Sequence, residues 1–162
     1  MFRKGDFSKL QKAGFPQFLL LLEASILLLY ARLAITCLPI ARVLRLFDLE
    51  TASSTFPTNM SPEVRTEDIS WAITTAASRL PLNCTCLVKA LAGSVLLQRR
   101  HIPSLLFLGV SRSTAPENSL AAHAWLECND EILTGGSERA LFKQIAAYRN
   151  RKATSTSTVQ AP

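Results

Sequence analysis

The first half of the chain is dominated by one apolar run, FPQFLLLLEASILLLYARLAITCLPIARVLRLF, over residues 15–47. Pro39 lacks an N–H donor and crowds the preceding turn, so the run predicts a long helix followed by a shorter, basic one. Glu23 and Arg32 leave no uncharged stretch of about 18 residues, which favours a helix packed on the protein or on a partner over a membrane span. Interfacial contact with a membrane through residues 15–38 stays open.

The second half of the chain mixes helical and extended patterns. Residues 48–61 are rich in Ser, Thr and Asn and predict a linker. A helix is predicted over 62–80, with one apolar face formed by Ile69, Ile73, Ala76 and Leu80. The apolar stripe in CLVKALAGSVLLQRR predicts a second buried helix that starts at or just before Cys86.

Extended patterns follow the second helix. SLLFLGV (104–110) is short and uniformly apolar, as is typical of a central strand. Two further strands are predicted from LAAHAWLEC (120–128) and EILT (131–134). After two glycines, SERALFKQIAAY predicts a last helix capped by Ser137.

These patterns predict an α+β protein with one folded domain, which suits a length of 162 residues. We expect a basic tail and apolar helices over 1–47, a linker over 48–61, the folded domain over 62–149 and a disordered tail over 150–162. Residues 1–14 are polar and basic and are also expected to be poorly ordered. The 48% hydrophobic and 19% charged residues are typical of a folded chain.

The net charge of +6 would attract acidic partners such as anionic lipid, nucleic acid or an acidic peptide. The basic residues occur at predicted helix ends and in the tail, without the clustered stripe and interleaved aromatics that nucleic-acid binding requires. The charge pattern therefore argues against a nucleic-acid partner.

Cys86 is the candidate nucleophile among the four cysteines of the chain. The N-terminus has no recognisable cleavable signal, so the thiols are expected to be reduced and the protein cytoplasmic. Unpaired amides and the helix dipole favour thiolate over thiol at a helix N-terminus, where Cys86 is predicted to lie. Taken alone, a cysteine at such a position is more often a small core side chain than a nucleophile, so the assignment depends on its partner.

His123 is the candidate base because of its place in the strand 120–128. Strand side chains alternate between faces, so Ala122, Ala124, Leu126 and Cys128 share the apolar face. His123, Trp125 and Glu127 share the other face, which suggests the floor of a cleft. A satisfied, half-buried histidine is the alternative interpretation of the same pattern.

The order of these elements resembles the transglutaminase-like leader peptidases of lasso-peptide biosynthesis. The matching pieces are the apolar N-terminal stretch, Arg79-Leu80-Pro81, CLVKALAGSVLLQRRHIP, FLGV and AHAWLE. The resemblance implies a transglutaminase/papain-like core, a helix plus a small antiparallel sheet, preceded by an apolar helical segment. It also implies that Cys86 attacks, that His123 is its base, and that the enzyme removes the leader of a ribosomal precursor by acyl transfer through a thioester.

The acid that orients the histidine in this family falls here on Gly135, which has no side chain to do so. If Asn129-Asp130 forms a two-residue turn, Trp125 pairs with Thr134. Thr134, a backbone carbonyl, water and Glu138 remain alternatives for the orienting group.

Substrate contacts are expected from Trp125 and the 111–119 loop, and the first oxyanion donor from the Cys86 amide. Asn83 or Thr85 is a candidate second donor. The resemblance implies three partners: the precursor leader peptide, a separate leader-recognition protein and an ATP-dependent lasso cyclase. No cofactor or metal is expected.

Three other functions compete with this interpretation. Cys84, Cys86, His123 and Cys128 form a formally adequate zinc ligand set, although His123 and Cys128 should point to opposite faces of their strand. A catalytically inactive scaffold of the same fold is consistent with the missing acid. A peptidase anchored by a spanning N-terminal helix is the third.

Overall fold

A computed structural model describes residues 15–52, 66–112 and 120–151. The helices are α1 (Phe15–Cys37), α2 (Ile40–Leu46), α3 (Thr66–Arg79) and α4 (Cys86–Arg99). The strands are β1 (Leu49–Thr51), β2 (Leu105–Arg112), β3 (Leu120–Cys128), β4 (Glu131–Thr134) and β5 (Lys143–Asn150), with a 3-10 helix at Gly136–Leu141. The expectations for residues 1–14, for most of the linker, for most of the 111–119 loop and for the tail from 152 onwards lie outside the described residues.

The long N-terminal helix packs on the domain along one face. Pro39 is the N-cap of α2 and separates this helix from α1, as predicted. Pro16–Cys37 is long and apolar enough to cross a membrane by length and composition. One face of α1 nevertheless lies against α3 and α4 and is buried there, formed by Ala24, Leu27, Leu28, Ala31 and Ala34. The apolar helix is therefore part of the same core as the rest of the molecule.

The five strands form one antiparallel sheet in the order β1-β5-β2-β3-β4. The helices cover one sheet face, where Ala124, Leu126 and Cys128 of β3 enter the main core. On the other face, a second, smaller cluster contains Leu105, Phe107, Trp125 and Ala147. The alternation predicted for β3 is thus confirmed, because the two faces of this strand enter two different clusters.

Two elements differ from the sequence prediction. The prediction of a last helix over SERALFKQIAAY is wrong. Only Gly136–Leu141 is helical, as a 3-10 helix, and Lys143–Asn150 forms β5. This strand lies between β1 and β2 and pairs with both, so long-range pairing overrides the helix propensity of its alanines. Residues 49–51 of the predicted linker form β1, which pairs with β5.

The hairpin between β3 and β4 has the predicted turn and a different register. Asn129 and Asp130 both have positive φ, 53° and 62°, as a two-residue hairpin turn requires. The pairing Cys128–Glu131 continues through Glu127–Ile132 and then shifts, so that Thr134 faces Leu126 instead of Trp125. One extra residue on β4 therefore moves Gly135 relative to His123.

Candidate active site

Cys86 occupies the first position of α4, where the backbone leaves amide groups unpaired. Thr85 is the N-cap, in extended conformation and without a side-chain capping bond. The Lys89 amide donates to the Thr85 carbonyl at 3.1 Å, which starts the helical hydrogen-bond ladder. The amides before Lys89 are the orphan donors of an α-helix, so the Cys86 sulfur stands beside a concentration of N–H groups.

The other cysteines are poorly placed to be nucleophiles. Burial, with a smaller contribution from the Glu131 charge, raises the pKa of the Cys128 thiol to about 11. Burial also raises the pKa of Cys84, which the charges of Lys89 and Arg32 only partly oppose. Cys37 is exposed at the C-terminal end of α1, the end of a helix that disfavours a thiolate. Cys86 alone lies at the N-terminus of a helix.

His123 is buried against two aromatic rings on the sheet face opposite the helices. Its ring stacks with Phe142 at 4.9 Å and with Trp125 at 6.2 Å between centroids. Nε2 of His123 lies 2.8 Å from the Gly135 carbonyl oxygen. A carbonyl oxygen only accepts, so this hydrogen bond places the ring hydrogen on Nε2 and leaves the lone pair of the neutral imidazole on Nδ1.

Gly135 occupies the position to which the resemblance assigns the orienting acid, and its backbone carbonyl bonds the His123 ring instead. A Cβ at Gly135 would lie 2.5 Å from the Ala124 carbonyl oxygen and 3.1 Å from His123 Nε2, and the glycine has φ +78°. A carboxylate side chain does not fit there. Among the described residues Glu138 is the nearest acid, with Oε2 at 3.9 Å from His123 Nδ1, and it is 62% exposed. Thr134 is not the orienting group, because its buried Oγ1 has no hydrogen-bond partner in the part of the chain that the structure describes.

The fold brings Cys86 and His123 to the same end of the sheet. Gly93 of α4 lies against Leu126 of β3, and α4 leads through a short turn into β2, which runs antiparallel to β3. From that contact, Cys86 lies about 10 Å along the helix and His123 about 10 Å along the strand. Both displacements lead away from the turn between α4 and β2.

The structure shows no bond between the two groups. Among the described residues, the hydrogen bond of the His123 ring is to Gly135, and none joins the ring to Cys86. The imidazole also starts from the sheet face opposite α4. Strand β4 pairs with β3 only over Leu126–Cys128, so among the described residues the earlier part of β3 has a strand neighbour on the β2 side alone.

The substrate contact predicted for Trp125 is wrong, because only 1% of the surface of this residue is exposed. Its ring stacks on Phe107, and its Nε1 donates to Glu127 at 3.0 Å. Glu127 also pairs with Arg139 at 3.2 Å, and the Arg139 guanidinium lies 5.9 Å from the Trp125 ring centroid. Trp125 therefore packs against the His123 ring, and the contacts of Arg139 with Glu127 and Trp125 hold the 3-10 helix on this face of the sheet.

Phe142 and Arg139 were missed by sequence reasoning. Both fell in the predicted last helix, so no contact with His123 or Glu127 was expected. An extended interpretation of residues 143–150 would have placed Phe142 at the start of a strand beside β2, within reach of the histidine face.

The zinc ligand set does not assemble in the part of the chain that the structure describes. No group of three or more His, Cys, Asp or Glu side chains there is placed to hold a metal ion. Cys128 enters the helix-side core, and His123 enters the opposite face, as strand alternation requires. Asn83 and Thr85, the candidate second donors, are both exposed and precede Cys86 in the chain.

Comparison with known proteins supports the fold assignment. The family model of the transglutaminase-like superfamily matches residues 26–147, which include Cys86, His123 and Gly135. No curated protein and no solved structure gives a significant match. Members of this superfamily generally are cysteine peptidases or acyltransferases. With its helix-borne cysteine, small antiparallel sheet and matching family model, the chain belongs to the transglutaminase-like superfamily.

Proposed function

We propose that the protein is a cysteine endopeptidase that removes the leader of a ribosomally made lasso-peptide precursor. The observation that carries the proposal is Cys86 at an uncapped helix N-terminus, at the same sheet end as a histidine whose Nδ1 is left as the acceptor. The order of motifs, Cys86 in CLVKALA followed by His123 in AHAWLE, resembles that of the leader peptidases and supports this choice within the superfamily.

The proposed reaction starts with proton transfer from the Cys86 thiol to His123 Nδ1. The Cys86 sulfur attacks the scissile carbonyl carbon, and the imidazolium then protonates the leaving amine as the C–N bond breaks. A water molecule, deprotonated by the same Nδ1, hydrolyses the thioester and releases the new carboxylate. The thiol and the neutral imidazole are both regenerated, so the cycle needs no cofactor.

Two features favour the charged states of this cycle. The Cys86 amide and its neighbours in the first turn of α4 point at the position of the oxyanion, and Asn83 or Thr85 supplies the second donor. Glu138, 3.9 Å from Nδ1, offers a negative charge to the imidazolium. Thiol–imidazole contact requires movement of one side chain towards the other, and the proposal requires this movement in the free protein as well as in the substrate complex.

The proposal also assigns a setting and partners. The peptidase works in the cytoplasm on the precursor leader peptide, together with a separate leader-recognition protein and an ATP-dependent lasso cyclase. We assign catalysis to the 62–149 region. The described N-terminal residues form two helices, which do not resemble a compact recognition domain.

The test is cleavage of a lasso-peptide precursor, followed by mass spectrometry. With a leader-recognition protein present, the wild type should release one leader fragment. Cys86→Ala and His123→Ala should each reduce the rate at least about 100-fold. Cys84→Ser, two residues away, is the matched control and should stay within about threefold. Cleavage that survives Cys86→Ala would overturn the proposal.

A catalytically inactive scaffold is the second candidate, favoured by one observation: Gly135 stands where the family has its orienting acid. A scaffold would bind the precursor and the partners without cleaving. Binding of the precursor together with the absence of a thioester or cleaved product over hours would favour this alternative.

A further inference from the structure

Helix α1 has a second apolar face that nothing in the described molecule covers. Its residues are between 44% and 62% exposed, far more than an apolar side chain in a core. The exposed apolar residues of α1 share one side of the helix, and we call them, together with the exposed Ile40 and Leu46 of α2, the outer face. On α1 they are Phe18, Leu19, Leu22, Ile26, Leu29, Tyr30 and Leu33. A contiguous apolar surface of this size marks an interaction site in a soluble domain.

Positive charge is concentrated in the same third of the chain. Residues 1–47 contain seven Lys and Arg and two Asp and Glu, a net charge of +5 out of +6 for the whole protein. One of the two acids, Glu23, is already paired with Arg99 and Arg100. Arg42 and Arg45 are exposed on α2, the helix that follows α1 directly. An apolar face flanked by cations is the pattern that binds anionic lipid surfaces.

The inner face of α1 decides how the helix meets a bilayer. Glu23 Oε1 and Oε2 accept hydrogen bonds from Arg99 and Arg100 at 2.9 and 2.8 Å. Leu28 and Ala31 are fully buried against the domain. A spanning orientation would break the ion pairs and expose the inner face, whereas a helix lying flat on the surface keeps both.

A cavity continues the outer face into the protein. It has a volume of about 340 Å³ and lies between the N-terminal half of α1 and the end of α3, lined by Phe18, Leu22, Ala76 and Leu80 among others. Phe18 and Leu22 belong to both the cavity and the outer face. An acyl chain that leaves the bilayer surface would enter here.

We infer that the outer face of α1 and α2 binds the surface of an anionic bilayer, with both helices parallel to the membrane plane. The sheet face that carries His123 lies on the other side of the helical layer, so the site stays accessible from the aqueous phase. This inference does not depend on the proposed reaction.

The experiment is co-sedimentation of the full chain with vesicles. Vesicles of phosphatidylcholine containing about 30% phosphatidylglycerol should bind the protein at about 0.1 M salt. Pure phosphatidylcholine, or about 0.5 M salt with the anionic vesicles, should weaken binding at least about tenfold. Extraction by alkaline carbonate should release the protein.

Variants distinguish vesicle binding by the outer face from non-specific binding through other exposed apolar residues. Ile26→Ser with Leu33→Ser should weaken binding at least about tenfold, because each removes an inserted aliphatic side chain. Ile145→Ser is the matched control: Ile145 is 62% exposed and Ile26 is 59% exposed, but Ile145 lies on the sheet. It should bind like the wild type, and circular dichroism should show all variants folded.

Four results would overturn the inference. They are no binding to anionic vesicles, equal loss in the Ile145 control, retention after carbonate extraction, and vesicle-free dimers that Ile26→Ser dissociates. The third result would mean a span, and the fourth would mean that a second copy covers this face.

Discussion

His123 Nε2 lies 2.8 Å from the Gly135 carbonyl oxygen, twelve residues further along the chain. This bond fixes the ring orientation and the tautomer that a base needs, with the lone pair on Nδ1. A carbonyl carries no full negative charge, so it stabilises the imidazolium less than a carboxylate does. His123 is therefore oriented as a base by a neutral backbone group instead of a carboxylate.

Gly135→Ala should destabilise the protein and impair the site together. The added Cβ would meet the Ala124 carbonyl at 2.5 Å in a backbone with φ +78°, so we expect a loss of about 2 kcal/mol in the free energy of unfolding. Gly136→Ala is the matched control, since its Cβ would meet only Ile132 side-chain atoms at 3.3 Å and beyond. Urea unfolding measures both. Equal losses in the two variants would contradict the role given to Gly135.

Glu138→Gln should have a small, salt-sensitive effect on cleavage. The carboxylate is exposed and 3.9 Å from Nδ1, so its attraction for the imidazolium is worth less than about 1 kcal/mol. We expect Glu138→Gln to lower kcat/KM about two- to fivefold at low salt and to leave it unchanged at about 1 M salt. A loss above about 100-fold at all salt concentrations would instead make Glu138 a full member of the triad.

The sequence predicted local features more accurately than long-range ones. The start of α4 at Cys86, the limits of β3 and β4 and the two faces of β3 all follow from local periodicity and were confirmed. Strand β5 was missed because its alanines favour a helix and only pairing with β1 and β2 makes it extended. A backbone carbonyl was one of several alternatives for the orienting group. That it belongs to Gly135 was not predicted, because a register shift at Leu126–Glu127 sets its position.

Gly93→Ala should misplace the helix that carries Cys86. The new methyl would lie 2.6 Å from Leu126 Cδ2 and 2.9 Å from Ile73 Cδ1. Overpacking costs about 1–3 kcal/mol, which outweighs the ~1 kcal/mol that alanine gains over glycine in a helix. Stability and cleavage should both fall.

A double-mutant cycle tests the cause of the Gly93→Ala effect. Leu126→Val removes the methyl carbon that clashes, so the double variant should be more stable than the sum of the single effects predicts. Strict additivity in urea unfolding would mean that Gly93 and Leu126 do not set the spacing between α4 and β3.

Glu23→Gln should destabilise the protein at neutral pH and not in acid. Burial raises the pKa of Glu23, but hydrogen bonds from Arg100 and Arg99 and their charges outweigh it and hold the pKa below the usual 4.5. Because the folded pKa is the lower one, this pairing stabilises the fold above about pH 4.5 and the contribution is lost as the pH falls through the folded value. The carboxylate of Glu23 and its two arginine partners are partly exposed. We therefore expect Glu23→Gln to lower the free energy of unfolding by about 1 kcal/mol at pH 7.

Denaturant unfolding of the Glu23 variant at about pH 7 and pH 3 measures this difference. Glu138→Gln serves as the control, because it removes an exposed carboxylate that makes no contact with α1. The gap between wild type and Glu23→Gln should close at the lower pH. A gap of the same size at both values would show that the ion pair with Arg99 and Arg100 does not hold α1 on the domain.

The most direct measurement is the rate at which iodoacetamide alkylates Cys86, with and without His123. In a Cys37→Ser/Cys84→Ser background only Cys86 and Cys128 remain, and burial of Cys128, whose pKa is about 11, keeps it unreactive until the protein unfolds. At about pH 6 we predict alkylation of Cys86 at least tenfold faster than that of a free cysteine, and at least a tenfold loss in His123→Ala. Reactivity equal to that of free cysteine and unchanged in His123→Ala would contradict the pairing of this thiol with this imidazole.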